Sequence, residues 1–400
     1  MHRTLPAVLF LAALASAQSV VPPFNTAWQA VVIGQVPNVG SYGGTAIHPA
    51  SPNTLLVSPW PSTSIDAVPL LRNGAGQIVG TGAATPAISV GGTDGGLAFG
   101  PGGVLFGTWF GANNLHQTKP GSTATDRVDS LTSLGLQNSV GACAVVPTGM
   151  PGAGRLKVCS WIGAEFRDVP LTPDGAGTYA PGALGPAISL ANDVEGMVYA
   201  PPGTPSFGGQ LLVCEWSYGN IVTYQVDANG DPLPATRQLV VGGAWSPGGG
   251  TRDPITGDFV FLGSGGTLLV LRQGATPCGT STNYGTASPG ALGTPTIGAT
   301  GCARIGETIG IQLGGHANAL GLLAAGSYEW NAPWENLTVL QSLDVAIVVV
   351  LGPTGSTNVP IAIPANPQLG WAHLYLQFAV LDPSTTSGLS ASDGLDLLMR

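Results

Sequence analysis

The chain has 400 residues, with 12 Lys and Arg against 21 Asp and Glu and a formal net charge of −9. With no basic run it offers little to neutralise phosphate, which excludes nucleic acid and anionic membrane surfaces as partners. A content of 61 Gly, 34 Pro and 44% hydrophobic residues excludes a disordered polar chain and suits many short strands joined by tight turns.

The first residues are His2-Arg3, an apolar run from Leu5 to Leu14, and Ala15-Ser16-Ala17 ahead of Gln18. A short basic start, an apolar core and a small-x-small site predict a signal peptide over residues 1–17, and hence a secreted, extracellular or cell-surface protein. The run is too short to span a bilayer comfortably. No later apolar segment reaches spanning length, the most apolar being Val345 to Leu351.

From residue 18 to 273 a phrase recurs. Leu55-Leu56-Val57-x-x-Trp60, Val104-Leu105-Phe106-x-x-Trp109, Leu156-Lys157-Val158-x-x-Trp161 and Leu211-Leu212-Val213-x-x-Trp216 follow at intervals of 49, 52 and 55 residues. That period is in the range of propeller blades and too long for most solenoids. Each phrase follows a short apolar strand and precedes a third strand with a Gly turn, such as Asn73-Gly74, Asp174-Gly175 or Asn229-Gly230, where positive φ is expected. A fifth repeat lacks the Trp, running from Arg252 to Gly274. Its missing strand is expected to be Trp28 to Ile33, which would close the ring and leave no open edge. The expectation is an all-β chain with a five-bladed propeller, six blades being the alternative. The repeated Trp reads as wedge filling between adjacent sheets, with a ring of carbohydrate-binding aromatics as the functional alternative.

Function is sought where the repeat breaks. The first innermost-strand residue is Gly43, Gly95 and Gly141 in three repeats and Glu195 in the fourth; Asn138, Asn192, Asp94 and Asp193 lie close by in sequence. Side chains there are expected to converge from different blades on the mouth of a central channel. Carboxylates with amide oxygens would suit a divalent cation such as Ca²⁺, or one that polarises a substrate oxygen. The simpler reading has Asn and Asp capping turns and Glu195 solvated. Asp227-Ala228-Asn229-Gly230-Asp231 looks like a calcium-loop fragment, but Gln238 stands where the bidentate Glu would be, so it reads as a hairpin turn. The His residues have no metal-pair spacing, and no GxSxG, GxGxxG or Walker-type loop occurs.

Of five cysteines, Cys278 and Cys302 bracket a Gly/Pro/Thr-rich stretch and form the first expected disulfide. Cys143 and Cys159, on neighbouring strands, are the second candidate pair, which leaves Cys214 as a buried thiol. Residues 274–283 read as a linker. Residues 284–400, with short strands at Thr308–Leu313, Gly321–Ala325, Val345–Leu351, Val359–Ile363, Ala372–Leu381 and Leu389–Leu398, are expected to form a small antiparallel β-sandwich.

The phrases Gly96-Leu97-Ala98-Phe99-Gly100-Pro101, Glu195-Gly196-Met197-Val198-Tyr199-Ala200-Pro201 and Asp253-Pro254-Ile255-Thr256-Gly257-Asp258-Phe259 resemble a family of secreted bacterial propeller proteins that often carry a PEP-type sorting tail; no such tail follows here. More distantly the repeat is similar to NHL and gluconolactonase-type propellers. That resemblance implies a divalent metal held by Glu, Asn and Asp, onto which Glu195, Asn138 and Asn192 map. Ile361-Ala362-Ile363-Pro364 and Leu374-Tyr375-Leu376-Gln377-Phe378 resemble a C-terminal domain of many exported proteins of environmental bacteria, implying surface retention or adhesion. The leading expectation is a binding propeller for a glycan, small molecule or surface protein. The alternatives are a metal-dependent, lactonase-like hydrolase and a structural envelope component.

Overall fold

The computed structural model describes residues 18–400 except 42, 49, 138, 275–277, 365, 367 and 368. The expected signal peptide and Asn138 therefore lie outside the described residues. The chain divides into two compact units, Gln18–Thr276 and Pro277–Arg400, and the described secondary structure is strand with short 3₁₀ turns.

The first unit holds five antiparallel sheets of four or five strands in chain order, and a separate two-stranded pair, Leu171–Pro173 with Tyr179–Pro181. Each of the five starts with a short strand of small or apolar residues: Gly43–Ile47, Leu97–Phe99, Val140–Val145, Val194–Tyr199 and Gly248–Arg252. The second strands are Thr54–Pro59, Leu105–Trp109, Leu156–Ser160, Gln210–Glu215 and Phe259–Gly263. The Leu-x-Val alternation thus gives strands buried on both faces, packed between neighbouring sheets. The five innermost strands touch one another in a closed circle. The last sheet is completed by Trp28–Gln35, from the start of the unit, in antiparallel register with Thr267–Gln273. Ser19–Val20 likewise completes the fourth sheet against Gln238–Gly242.

Glycine sets how closely the sheets meet at the centre of this circle. A Cβ on Gly44 would lie 2.0 Å from the Gly95 carbonyl oxygen, one on Gly96 2.2 Å from the Cys143 amide nitrogen, and one on Gly196 1.7 Å from the Gly249 carbonyl oxygen. Polar links cross the same seams, Ser58 Oγ donating to Gly95 O at 2.8 Å and Gly250 N to Thr45 Oγ1 at 2.9 Å. Further out, ion pairs join sheets: Arg72 with Asp253 at 2.6 Å, Arg127 with Asp174 at 3.2 Å, and buried Lys157 with Asp231.

The closing strand is anchored by Trp28, which is 1% exposed, stacks on Phe207 at 4.8 Å and donates Nε1 to Pro205 O at 3.0 Å. Trp28→Phe keeps an aromatic ring but loses that donor, so it is expected to destabilise the unit by about 1–2 kcal/mol, read as a lowered denaturation midpoint.

The expected Cys143–Cys159 pair is not formed; both are buried free thiols. Cys143 lies opposite Val158 and Cys159 opposite Ala142. This one-residue offset turns the two side chains to opposite faces of the sheet and into different apolar clusters. Cys214 is a buried free thiol that donates to Gly249 O. Gly175 and Gly230 have the positive φ expected of them, but the turn at Asn73-Gly74 differs. Asn73 Oδ1 accepts from the Ala75 and Gln77 amides, with positive φ at Gly76 rather than Gly74, so the Asn acts through its side chain.

The second unit contains a five-stranded, a three-stranded and a two-stranded antiparallel sheet around an apolar cluster that includes Ile311, Leu376, Phe378 and Leu395. Its strands include Thr308–Gly314, Leu320–Gly326, Val345–Val350, Ser356–Ala362, His373–Leu381 and Leu389–Leu398. Cys278 and Cys302 are disulfide-bonded. Within the stretch read as a linker, Ser281–Tyr284 begins a strand on Leu389–Leu398, and residues 275–277 lie outside the described residues.

Candidate functional site

Three of the innermost strands start with an irregularity, the last of them between Gly248 and Thr251. The ladder of Val140–Val145 with its neighbour shifts between Val140 and Ala142, and that of Val194–Tyr199 shifts between Val194 and Gly196. A bulge residue leaves the ladder and its side chain is re-aimed. In the third sheet that residue is Gly141; in the fourth it is Glu195. Glu195 fills the space the glycine leaves, with Oε2 2.6 Å from where a Gly141 Cβ would stand and the Trp161 Cβ beside it at 3.1 Å.

Glu195 is 3% exposed, and no described residue donates a hydrogen bond to it. Burial, then the neighbouring charges of Asp94 and Asp193, push its carboxyl well above the usual range. Asp94 is 2% exposed. Its Oδ1 accepts from Phe110 N at 2.7 Å, yet burial still raises it to about 7. Asp193 is half-buried. Its Oδ2 accepts from Ser217 N at 2.9 Å and from the Ser217 hydroxyl, while Oδ1 is buried with no partner among the described residues. Asn192 is half-buried in the bend before Asp193. The structure therefore brings Asp94, Asp193 and Glu195 together, and Glu195 is buried rather than solvated.

Each of these carboxylates lies beside the backbone of an aromatic-bearing turn. Trp60 contacts Phe110 at 6.2 Å, Phe110 contacts Trp161 at 5.9 Å and Trp161 contacts Trp216 at 6.1 Å, all edge to face. The rings come from the turns between second and third strands of four successive sheets. Phe110, Trp161 and Trp216 are half-buried, and Trp60 is 38% exposed. Wedge filling thus describes the repeated Trp only in part. Trp109 does lie between sheets, on the Gly92 backbone and against buried His116, but the other three lie one residue beyond their strands. Asp94 is tied to Phe110, Glu195 stands by Trp161, and Asp193 is tied to the residue after Trp216. A cleft of about 530 Å³ lined by Trp60, Ser62, Thr63, Gly92, Thr93 and Trp109 opens beside Asp94.

Sequence reasoning missed Phe110, and offered a ring of aromatics only as the alternative to wedge filling. The signal available was an aromatic directly after Trp109, in the repeat whose entry carries Asp94. At the opposite end of the circle, a separate cavity of about 300 Å³ is lined by residues of all five innermost strands, including Ile47, Phe99, Val145, Tyr199 and Thr251.

Among the described residues no group of three His, Cys, Asp or Glu side chains is placed to hold one metal ion. The Asp227–Asp231 loop is an Asx turn, with Asn229 N and Asp231 N donating to Asp227 Oδ1 at 2.8 and 2.9 Å. The cation beside it is the Lys157 ammonium.

The chain matches no family model and no curated protein sequence. Among solved structures it is similar to a protein assigned as a gluconolactonase, at 10% identity and a TM-score of 0.38 over 64% of this chain and 98% of that one. It is also similar to the PQQ-bound aldose sugar dehydrogenase of Streptomyces coelicolor, at 13% identity and 0.33 over 62% and 99%. A third is YCF48 bound to a D1 peptide, at 12% identity and 0.34 over 67% and 98%. Function is therefore read from the side chains at the ring mouth.

Proposed function

We propose that Gln18–Thr276 is a five-bladed β-propeller acting as the binding module of a secreted or cell-surface protein, and that Pro277–Arg400 is a small sandwich serving surface retention or adhesion. The ligand seat is the front mouth, where Trp60, Phe110, Trp161 and Trp216 lie beside Asp94, Asp193 and Glu195. The observation that carries this reading is the aromatic arc beside buried, incompletely hydrogen-bonded carboxylates. Exposed indole faces offer contact area at low conformational cost, and unpartnered buried polar atoms are sites where a ligand's donors gain most.

A second reading, a lactonase-like hydrolase at the same mouth, draws on Glu195 as a buried acid able to transfer a proton. The spread of the described carboxylates over three different rings favours binding over coordination of one catalytic metal. The test is a thermal-shift screen of the chain from Gln18 against glycans, amines and lactones, with and without chelator, in parent and Trp161→Ala proteins. The binding reading expects ligand-induced stabilisation that survives chelation and is lost in Trp161→Ala. Chelator-sensitive lactone turnover, lost in Glu195→Gln, would replace it with the hydrolase.

A further inference from the structure

The basic residues of the first unit are committed to ion pairs, except Arg252, which lines the cavity at the other end of the ring. Arg72 pairs with Asp253, Lys119 with Asp126, Arg127 with Asp129 and Asp174, Arg155 and Lys157 with Asp168, Arg167 with Glu165, Arg237 with Glu215, and Arg272 with Asp258. None of these cations contacts Asp94, Asp193 or Glu195. Buried Glu215 receives a bidentate arginine; Glu195, on the same sheet and equally buried, receives nothing from a described residue. The bulge that aims it and the glycine that makes room for it give it a built position.

The rings follow the acids one for one at steps of about 6 Å. Aromatic faces attract cations and exclude water, and carboxylates beside them supply counter-charge and acceptors for N–H donors. A single metal ion needs its oxygens within one coordination shell, an arrangement not found among the described acids. Acidic groups spread over several rings match instead a cation extended over a molecular frame, whose arrival would favour their ionised form.

Resting on the reading of the front mouth as a ligand seat, we propose that its ligand is an organic ammonium compound, bearing protonated amino groups on an apolar or sugar frame that lies along Phe110, Trp161 and Trp216. Each ammonium donates to one of Asp94, Asp193 and Glu195 while the frame packs on the rings. The charges acting on Glu195 are those of Asp94 and Asp193, and Arg237 on the same sheet is neutralised by Glu215, the ladder partner of Val194.

The test is calorimetric titration of the chain from Gln18, near neutral pH where amines are charged, with spermidine, a glucosamine trimer, its N-acetylated neutral counterpart and Ca²⁺. An amine-bearing ligand is expected to bind at least about tenfold more tightly than the neutral trimer, weaken with added salt, and lose about tenfold in Glu195→Gln, in Asp94→Asn and in Trp161→Ala. Spermidine and the glucosamine trimer distinguish a linear from a sugar frame. The two carboxamide variants are expected to fold at least as stably as the parent, so lost binding in them reports the seat. Equal binding of the neutral trimer, abolished by Trp161→Ala alone, overturns the ammonium assignment and leaves the binding module standing. Carboxylate-dependent binding of Ca²⁺ in preference to amines also overturns it. Failure of every probe, with Glu195→Gln unchanged, overturns the assignment and the seat together.

Discussion

Asp94→Asn is expected to stabilise the protein above neutral pH by about 2–4 kcal/mol, and Glu195→Gln to act in the same direction. For Asp94 the folded pKa, about 7, lies above the ordinary 3.8, so the folded state holds a proton that the unfolded chain releases. Stability is therefore unaffected below about pH 4, declines as pH rises towards 7, and is flat beyond. A full shift of that size corresponds to about 4 kcal/mol at 1.36 kcal/mol per pH unit, an upper bound once the protein relaxes. Asparagine keeps the acceptor for Phe110 N and removes the ionisation. Denaturant midpoints at about pH 4 and pH 8 decide the matter: parent and double variant should coincide in acid and separate in base. Coincidence at both would mean that the carboxyls are hydrated in solution and that their burial has no energetic content.

Lys157→Met is expected to cost about 3–5 kcal/mol. The lysine lies inside an otherwise apolar phrase and its side chain is 0% exposed. Its ammonium reaches Asp168 at 2.9 Å and also bonds Asp231 in the turn of the fourth sheet. Methionine fills much of the volume, so the loss measured is mainly that of a cation between two acids. Arg155 still serves Asp168, which leaves Asp231 as the uncompensated group. Adding Asp231→Asn to Lys157→Met should then recover a large part of the loss. A double variant no better than the single would place the effect in packing instead.

The second strands and the ring-closing strand were legible because alternation and period act over many residues, and five copies of one pattern reinforce each other. What stayed hidden depended on single-residue geometry. Cys143 and Cys159 sit on adjacent strands as expected, but a register offset of one residue, which no local pattern encodes, separates their faces. Trp60, Trp161 and Trp216 follow the strand by one position, where the pleat no longer dictates which side a ring takes, so their half-exposure was not readable. Glu195 was found by comparison across repeats, since a carboxylate among glycines departs from what the blade requires. Its burial was not found, because that depends on Gly141 of the preceding sheet. Asn138, its proposed companion, lies outside the described residues.

The glycine contacts at the centre of the ring have one further consequence. Where a Cβ on Gly196 or Gly44 would collide with the backbone of the next sheet, any side chain larger than glycine would force neighbouring sheets apart. The acids Asp94, Asp193 and Glu195 at one end and the cavity of about 300 Å³ at the other, whose mixed lining includes Tyr199, Thr251 and Arg252, draw on opposite ends of the same five strands. Substitutions that retune the chemistry of one end can therefore leave the glycine seams, and the residues of the other end, untouched.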